Sequence, residues 1–203
     1  MIKKCLLICL VLIMFVSCKQ NTDVNETDSE SMIGNTAFEP EIVCDEEYFQ
    51  LLKISPFSYE YIIYNTAGDI VEQQSVDGQP ISIDTIEDET LDISIGMGTG
   101  IIQHHYYDTR ADRLSGTYQY VIAVSHGMIA YIDIPQDRPL ENRRVIVQDI
   151  FDSAQPTCVF SLDFAQIDTP VVDAKFLSDG TQLQITYLSG AEKAEVTEVV
   201  DLN

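Results

Sequence analysis

The sequence predicts an all-β protein made of antiparallel sheets. About a dozen short segments are rich in apolar and β-branched residues, and most of them alternate apolar with polar residues at a period of two. Turn-forming residues, many of them glycine, separate these segments at intervals of roughly 8–15 residues. Alternation combined with frequent turns is typical of successive strands that pair as hairpins.

The composition limits the classes of partner. The chain has 203 residues, with 11 Lys and Arg against 33 Asp and Glu, which gives a formal net charge of −22. Recognition of a phosphate backbone needs a clustered basic surface, and the basic residues here are scattered, so the sequence argues against a nucleic-acid partner. With 45% hydrophobic residues, the chain can bury the core of one domain.

The N-terminus has the features of an export signal. Lys3 and Lys4 precede an apolar stretch at 6–16, which is too short to span a bilayer stably as a helix. The run Phe15-Val16-Ser17-Cys18 then resembles the bacterial lipobox, although Leu is usual at the position of Phe15. An ordinary signal peptide with an incidental Cys18, or an uncleaved anchor helix, is the alternative interpretation.

The resemblance to bacterial lipoproteins implies a location. Residues 1–17 would be a signal peptide, and Cys18 would be the lipid-modified first residue of the mature chain. The lipid would hold the protein at the cell membrane on its extracytoplasmic face, so the membrane is an expected partner.

A polar tether and a short helix are predicted next. Residues 18–37 contain no aromatic side chain, so we expect a disordered spacer before a single β-rich domain over 38–203. Apolar residues at 48, 49, 51 and 52 predict one short N-terminal helix, with Asp45 as its cap.

The strands are predicted from residue 59 onward, and the first two form a hairpin around the turn at 65–69. The twelve predicted strands are 59–64, 70–76, 80–84, 91–95, 101–107, 118–124, 128–134, 144–150, 159–164, 171–176, 183–187 and 194–202. In the last three, we expect Val172, Ala174 and Phe176 to share one buried face with Leu183, Ile185 and Tyr187, and Val196 and Val200 to complete the core.

Two architectures fit this strand series. The segment 171–185, in which a strand ending in Phe176 meets a Ser-Asp-Gly turn before Leu183, resembles the first hairpin of a β-propeller blade. Similar runs occupy 120–150 and, more loosely, 59–83 and 92–115. The sequence leaves a sandwich and a propeller-like repeat array open.

No catalytic, metal or cofactor site is predicted. The glycine-rich run at 96–100 is followed by Ile101, where a dinucleotide fingerprint has its third glycine, and by a predicted strand where the fingerprint has a helix. We therefore expect a hairpin connection. His104 and His105 are adjacent in a predicted strand and should point to opposite faces, which prevents them from sharing a metal ion. No Gly-x-Ser-x-Gly motif occurs.

A cluster of aromatic residues is the candidate contact surface. Its alternative explanation is the ordinary alternation of core and surface aromatics in a sheet. The candidate residues are His105, Tyr106, Tyr107, Asp108, Tyr118 and Tyr120.

Cys44 and Cys158 are the two cysteines outside the signal and the lipidation site. In an exported domain such a pair favours a disulfide, and two free thiols are the alternative.

These features favour a binding or interaction module at the cell envelope, with a protein or glycan partner, over an enzyme. A glycan-acting envelope hydrolase with an unidentified carboxylate pair is the second hypothesis. A structural accessory without a ligand is the third.

Overall fold

The computed structural model describes residues 38–202, except 88, 99, 136–141, 153 and 178–179. The predicted signal peptide, Cys18 and the predicted tether lie outside the described residues. The described residues belong to one contact unit, which begins at Ala37.

All regular secondary structure in the described part of the chain is β-structure, so the predicted fold class is confirmed. The strands are β1 (Glu41–Asp45), β2 (Phe49–Ser55), β3 (Ser58–Tyr64), β4 (Ile70–Asp77), β5 (Ile81–Ile86), β6 (Thr90–Gly96), β7 (Ile102–Asp108), β8 (Arg113–Leu114), β9 (Tyr118–Gln119), β10 (Val121–Ser125), β11 (Met128–Asp133), β12 (Arg144–Asp149), β13 (Cys158–Phe160), β14 (Val171–Leu177), β15 (Gln182–Ser189) and β16 (Ala194–Asp201).

These sixteen strands form four antiparallel sheets, and none of the sheets closes on itself. Sheet A has the order β1-β2-β3-β4, and sheet B has the order β5-β6-β7-β8 with β9 also pairing with β7. Sheet C has the order β10-β11-β12-β13, and sheet D has the order β14-β15-β16. Apart from the pair of β7 with β9, neighbours in each sheet are neighbours along the chain, as expected for successive hairpins.

The predicted N-terminal helix is wrong. The segment 45–52 is instead a hairpin turn followed by β2, and the Glu46 N–H donates to the Phe49 carbonyl across the turn at 2.9 Å. Phe49 and Leu51 are both buried in a core, whereas the residue between them faces the other side of sheet A. Side chains in this segment therefore alternate with the period of two of a strand. The four apolar residues alone are compatible with that period and with the period of 3.6 of a helix.

Successive sheets pack face to face in chain order, and three cores result. Sheets A and B enclose Phe49, Leu51, Tyr61, Ile63, Val76, Leu91, Ile93, Ile95 and Tyr107. Sheets B and C enclose Tyr106, Tyr118, Ile129 and Ile150, and sheets C and D enclose Ala130, Ile132, Val145, Val147, Phe164, Leu183, Ile185, Tyr187 and Leu202. Sheet B is thus covered on both faces.

The C-terminal strands differ from the prediction at one position. Val196 and Val200 pack on the buried row of β15, as predicted. A bulge between Val171 and Asp173 shifts the register of β14, so that Val171 packs on the core and Val172 is 56% exposed. An extra residue in a strand reverses the face of its neighbours, and alternation alone does not reveal it.

The turns within the first hairpins of sheets B, C and D lie together at one end. Glu87 bonds to His126, and a side chain at Gly180 would lie 3.5 Å from the His126 Cβ. The turn between β6 and β7 and the connections from sheet to sheet lie at the opposite end, because strands in each sheet alternate in direction.

Candidate functional site

A cleft of about 380 Å³ lies at the end where the chain crosses between sheets. Its walls are the start of β7 with residues 100–102, the crossing into β10 at 120–122, and the approach to β14 at 168–174. His104 and Ile132 complete the lining. Sheets B, C and D therefore all contribute to it.

Backbone geometry shapes two walls of this cleft. Gly100 has a φ of +79°, which a residue without a Cβ adopts freely, and it ends the turn that leads into β7. Tyr120 has a φ of +53° at the point where the chain leaves sheet B for sheet C. A bulky residue in this region costs about 1–3 kcal/mol, and the Ile132 N–H holds it there by donating to the Tyr120 carbonyl at 3.0 Å.

His104 is the polar side chain whose orientation is fixed most firmly in the cleft. Its Nδ1 lies 3.0 Å from Asp92 Oδ1 and 2.9 Å from Ser94 Oγ. The Ser94 hydroxyl donates to the same Asp92 oxygen at 3.1 Å. Because an ionised carboxylate only accepts hydrogen bonds, the proton lies on Nδ1, and in this tautomer the lone pair is at Nε2.

The other ring nitrogen of His104 is available for a ligand. Among the described residues, none makes a hydrogen bond to Nε2, and the ring lines the cleft. The ring also stacks on Tyr106 with centroids 6.2 Å apart and planes 10° from parallel. The imidazole is thus held at Nδ1 by Asp92 and Ser94 and on one face by Tyr106.

This arrangement does not form a nucleophilic triad. In a serine hydrolase, the nucleophile and the orienting acid contact opposite ring nitrogens. Here Ser94 and Asp92 meet the same nitrogen of His104, so the ring cannot take a proton from Ser94 and pass its charge toward Asp92.

The cleft also gives little support to the carboxylate-pair hypothesis. Asp168 and Asp173 both line it, and both are exposed to solvent. A glycosidase acid needs apolar shielding to keep its proton at neutral pH, and neither of these side chains has such surroundings.

His105 belongs to a separate network on the other face of β7, as strand alternation predicts. Its Nε2 lies 3.0 Å from the Tyr61 hydroxyl, which contacts Gln74 Oε1 at 2.9 Å and Glu72 Oε1 at 3.1 Å. Burial lowers the pKa of His105 and outweighs the opposing attraction of Glu72. Burial also raises the pKa of Tyr61. Both side chains are therefore neutral, and the Tyr61 hydroxyl links His105 of sheet B to the acceptors Glu72 and Gln74 of sheet A.

Most of the predicted aromatic contact surface is buried. Tyr106 and Tyr107 have no exposed area, and His105 and Tyr118 are also buried. The reason is that sheet B has a sheet on each face, so both sets of alternating side chains enter a core.

The hydrogen bonds of the predicted contact residues are internal to the fold. The Tyr118 hydroxyl donates to the Ile150 carbonyl at 2.6 Å, and the Tyr107 hydroxyl donates to Asp112 at 2.7 Å. Asp108 accepts from the N–H groups that follow it in the turn after β7. Of the six predicted residues, Tyr120 lines the cleft.

Both cysteines are free thiols in the structure, which is the alternative to the predicted disulfide. Cys44 lies in β1 of sheet A and Cys158 lies in β13 of sheet C. Sheet B packs between these two sheets, so the thiols lie in different parts of the stack.

The glycine-rich run forms the predicted hairpin connection. Met97 N–H donates to the Ile101 carbonyl at 2.8 Å, and β6 and β7 pair along their length on either side of it. Thr99 lies outside the described residues.

The described part of the chain holds neither of two other features. Within it, no three His, Cys, Asp or Glu side chains are grouped so that they could hold a metal ion. The same residues include no helix of the length and apolar character needed to cross a membrane.

Sequence reasoning did not identify the cleft, because its walls come from three distant segments. Ile102 and Val172 lie in predicted strands, and their 49% and 56% exposure depends on sheet packing and on a bulge that alternation does not reveal. Exposed aliphatic side chains beside an oriented histidine are a common composition for a small binding site. No protein-family model matches the chain, and no curated protein matches it significantly.

Proposed function

We propose that this protein is a lipid-anchored binding module on the extracytoplasmic face of the cell membrane. The observation that carries the binding function is the cleft between sheets B, C and D. There, the exposed side chains of Ile102 and Val172 lie beside His104, whose free nitrogen is oriented by Asp92. Apolar walls with a few oriented polar groups are typical of sites that bind small molecules.

The architecture that fits this proposal best is a propeller-like repeat array. Each sheet is a meander of consecutive strands and packs on the next sheet in the chain, which supports an array over a two-sheet sandwich. The contact between β10 and β14 supports it further, because these are the first strands of adjacent sheets.

Binding is tested with two variants of matched chemistry. Val172→Trp fills the mouth of the cleft, and Val199→Trp places the same ring on an equally exposed position of β16. A small-molecule library is screened against the full chain by saturation-transfer NMR. Ligands should be lost with Val172→Trp and kept with Val199→Trp; binding that survives both substitutions would contradict a site in the cleft.

The anchor is tested separately. Mass spectrometry of the membrane fraction should show cleavage before Cys18 and the added mass of lipid, and Cys18→Ala should release the protein from that fraction. External protease should digest the domain in cells whose cytoplasmic marker stays intact. A Cys18→Ala protein that fractionates like the parent would refute lipid anchoring.

A further inference from the structure

We infer that the cleft binds a small organic cation: an aliphatic body that carries a protonated amine, which donates a hydrogen bond to His104 Nε2. This inference rests on the proposed binding function and adds the class of ligand. It follows from the polarity, size and preorganisation of the cleft.

The charged and oriented groups of the cleft are acceptors. His104 presents a lone pair at Nε2, and Asp168 and Asp173 present carboxylates. No Lys or Arg is among the described residues that line the cleft. A ligand that brings hydrogen-bond donors and positive charge is therefore matched to these walls, and an anionic ligand is opposed by them.

A buried cation interacts with one of the two carboxylates of the cleft. Arg143 is buried within electrostatic reach of Asp168 and Tyr120, and burial lowers its pKa while Asp168 opposes that change. Asp173 lies at the bulge of β14 and is exposed, so its carboxylate is open to a ligand. The net charge of −22 adds a field that attracts cations to the whole molecule.

The size of the cleft favours a small molecule over a peptide. Its volume of about 380 Å³ is near the lower end of the 300–1,000 Å³ usual for ligand sites. Its nonpolar surface is mainly aliphatic, from residues such as Ile101, Val121 and Ile122, and Tyr120 and His104 are the aromatic rings among the described lining residues. An aliphatic body suits these walls better than a flat aromatic one.

The acceptor is held in place before a ligand arrives. Asp92 and Ser94 fix Nδ1 of His104, and Tyr106 fixes the plane of the ring. Fixing a group in its bound orientation lowers the entropy cost of binding. Asp92 is therefore a positioning residue, and His104 is the residue that touches the ligand.

The test uses three probes with one aliphatic body. Cyclohexylmethylamine is a cation at neutral pH, cyclohexylmethanol is neutral, and cyclohexanecarboxylate is an anion. Each is titrated into the full chain in nonionic detergent, and the dissociation constant is obtained from ¹H–¹⁵N chemical-shift changes. The amine should bind at least about tenfold more tightly than the alcohol, since a charged hydrogen bond contributes more than a neutral one, and the carboxylate should bind least.

Three variants and one control locate the cause. His104→Phe keeps a stacked ring and removes the acceptor, and His104→Leu removes both and serves if the first variant does not fold. Either should bring the amine and the alcohol to similar affinities. Asp173→Asn should weaken the amine several-fold, whereas Glu41→Gln, which removes one exposed charge from sheet A, should leave it unchanged.

The outcomes separate this inference from the proposed function. If amine and alcohol bind equally and Val172→Trp blocks both, the cleft is a binding site and the cation inference is overturned. If none of the probes binds, or a Lys-rich peptide alone does, the small-cation inference is also overturned. If the probes bind and Val172→Trp has no effect, the proposed site itself is wrong.

Discussion

Glu87 accepts a hydrogen bond from the backbone N–H of His126 at 2.6 Å, and so ties the β5–β6 turn of sheet B to the β10–β11 turn of sheet C. The same carboxylate oxygen accepts from the Ser125 hydroxyl at 2.8 Å. Both turns use left-handed backbone, with φ of +50° at Glu87 and +55° at His126. One side chain therefore joins two hairpin turns that are far apart in the sequence.

Replacing Glu87 with Gln should weaken this junction in a pH-dependent way. Partial burial would raise the pKa of Glu87, but the hydrogen bonds from His126, Ser125 and Gly127 outweigh it and lower the pKa. The carboxylate therefore stabilises the fold above its unfolded pKa, and this contribution is lost as the pH falls through the folded pKa. We expect Glu87→Gln to cost about 0.5–1 kcal/mol at pH 7, because the group is largely exposed, and less at pH 3.

Urea unfolding of the parent and variant at both pH values measures this difference. Glu89→Gln is the matched control, because Glu89 is exposed and forms a 3.6 Å ion pair with Arg110. A difference between parent and Glu87→Gln that is the same at pH 3 and pH 7 would refute the role of the charge.

His105 should give the fold a second acid-sensitive contribution. Because burial lowers its pKa from the ordinary value of 6.5, the unfolded chain takes up a proton at a higher pH than the folded chain. Stability should be level above about pH 6.5 and should fall below it, toward the folded pKa. His105→Asn should be less stable at pH 7.5 by about 1–3 kcal/mol and should show a shallower decline between pH 6.5 and 5. Equal slopes for the two proteins would count against a neutral buried His105.

Tyr61→Phe tests the network around His105. The hydroxyl contacts His105, Glu72 and Gln74, so its removal leaves the buried Nε2 of His105 without this partner and should cost about 1–3 kcal/mol. Tyr59→Phe is the control, because Tyr59 packs on the same core and its hydroxyl makes no hydrogen bond to the described residues. Thermal melts that shift equally for the two variants would show that the network adds no stability.

Removal of β16 should break the core between sheets C and D. A chain that ends after residue 193 lacks the strand that pairs with β15 along its whole length, and it also lacks Leu202, which is buried. We expect loss of the cooperative melt or a strongly lowered Tm, measured by circular dichroism. A fragment that melts like the full chain would contradict the packing described for Val196 and Val200.

Local patterns predicted the strands well because hairpins are local structures. The segment 183–187 lies within β15, and its alternating residues Leu183, Ile185 and Tyr187 are buried as predicted. The segment 45–52 was misassigned because four apolar residues fit a helical and a strand period equally. Val172 was misplaced because a bulge leaves no mark in alternation.

The site was harder to predict because it depends on how the sheets pack. The contact surface around Tyr106 and Tyr107 failed because the sequence does not show that sheet B is covered on both faces. His104 was recognised as pointing away from His105, but its partner Asp92 comes from the pairing of β6 with β7, and the opposite wall comes from β14. Such tertiary placement is absent from any single segment.

The most direct test of the account is the ring of His104 itself. The ¹⁵N NMR spectrum of the full chain at neutral pH should show Nδ1 protonated and Nε2 unprotonated, and cyclohexylmethylamine should shift Nε2 together with the backbone amides of 100–104, 120–122 and 171–174. A protonated Nε2 in the free protein would contradict the acceptor role of His104. Shifts that lie on other sheets while these residues stay unchanged would contradict the assignment of the cleft as the binding site.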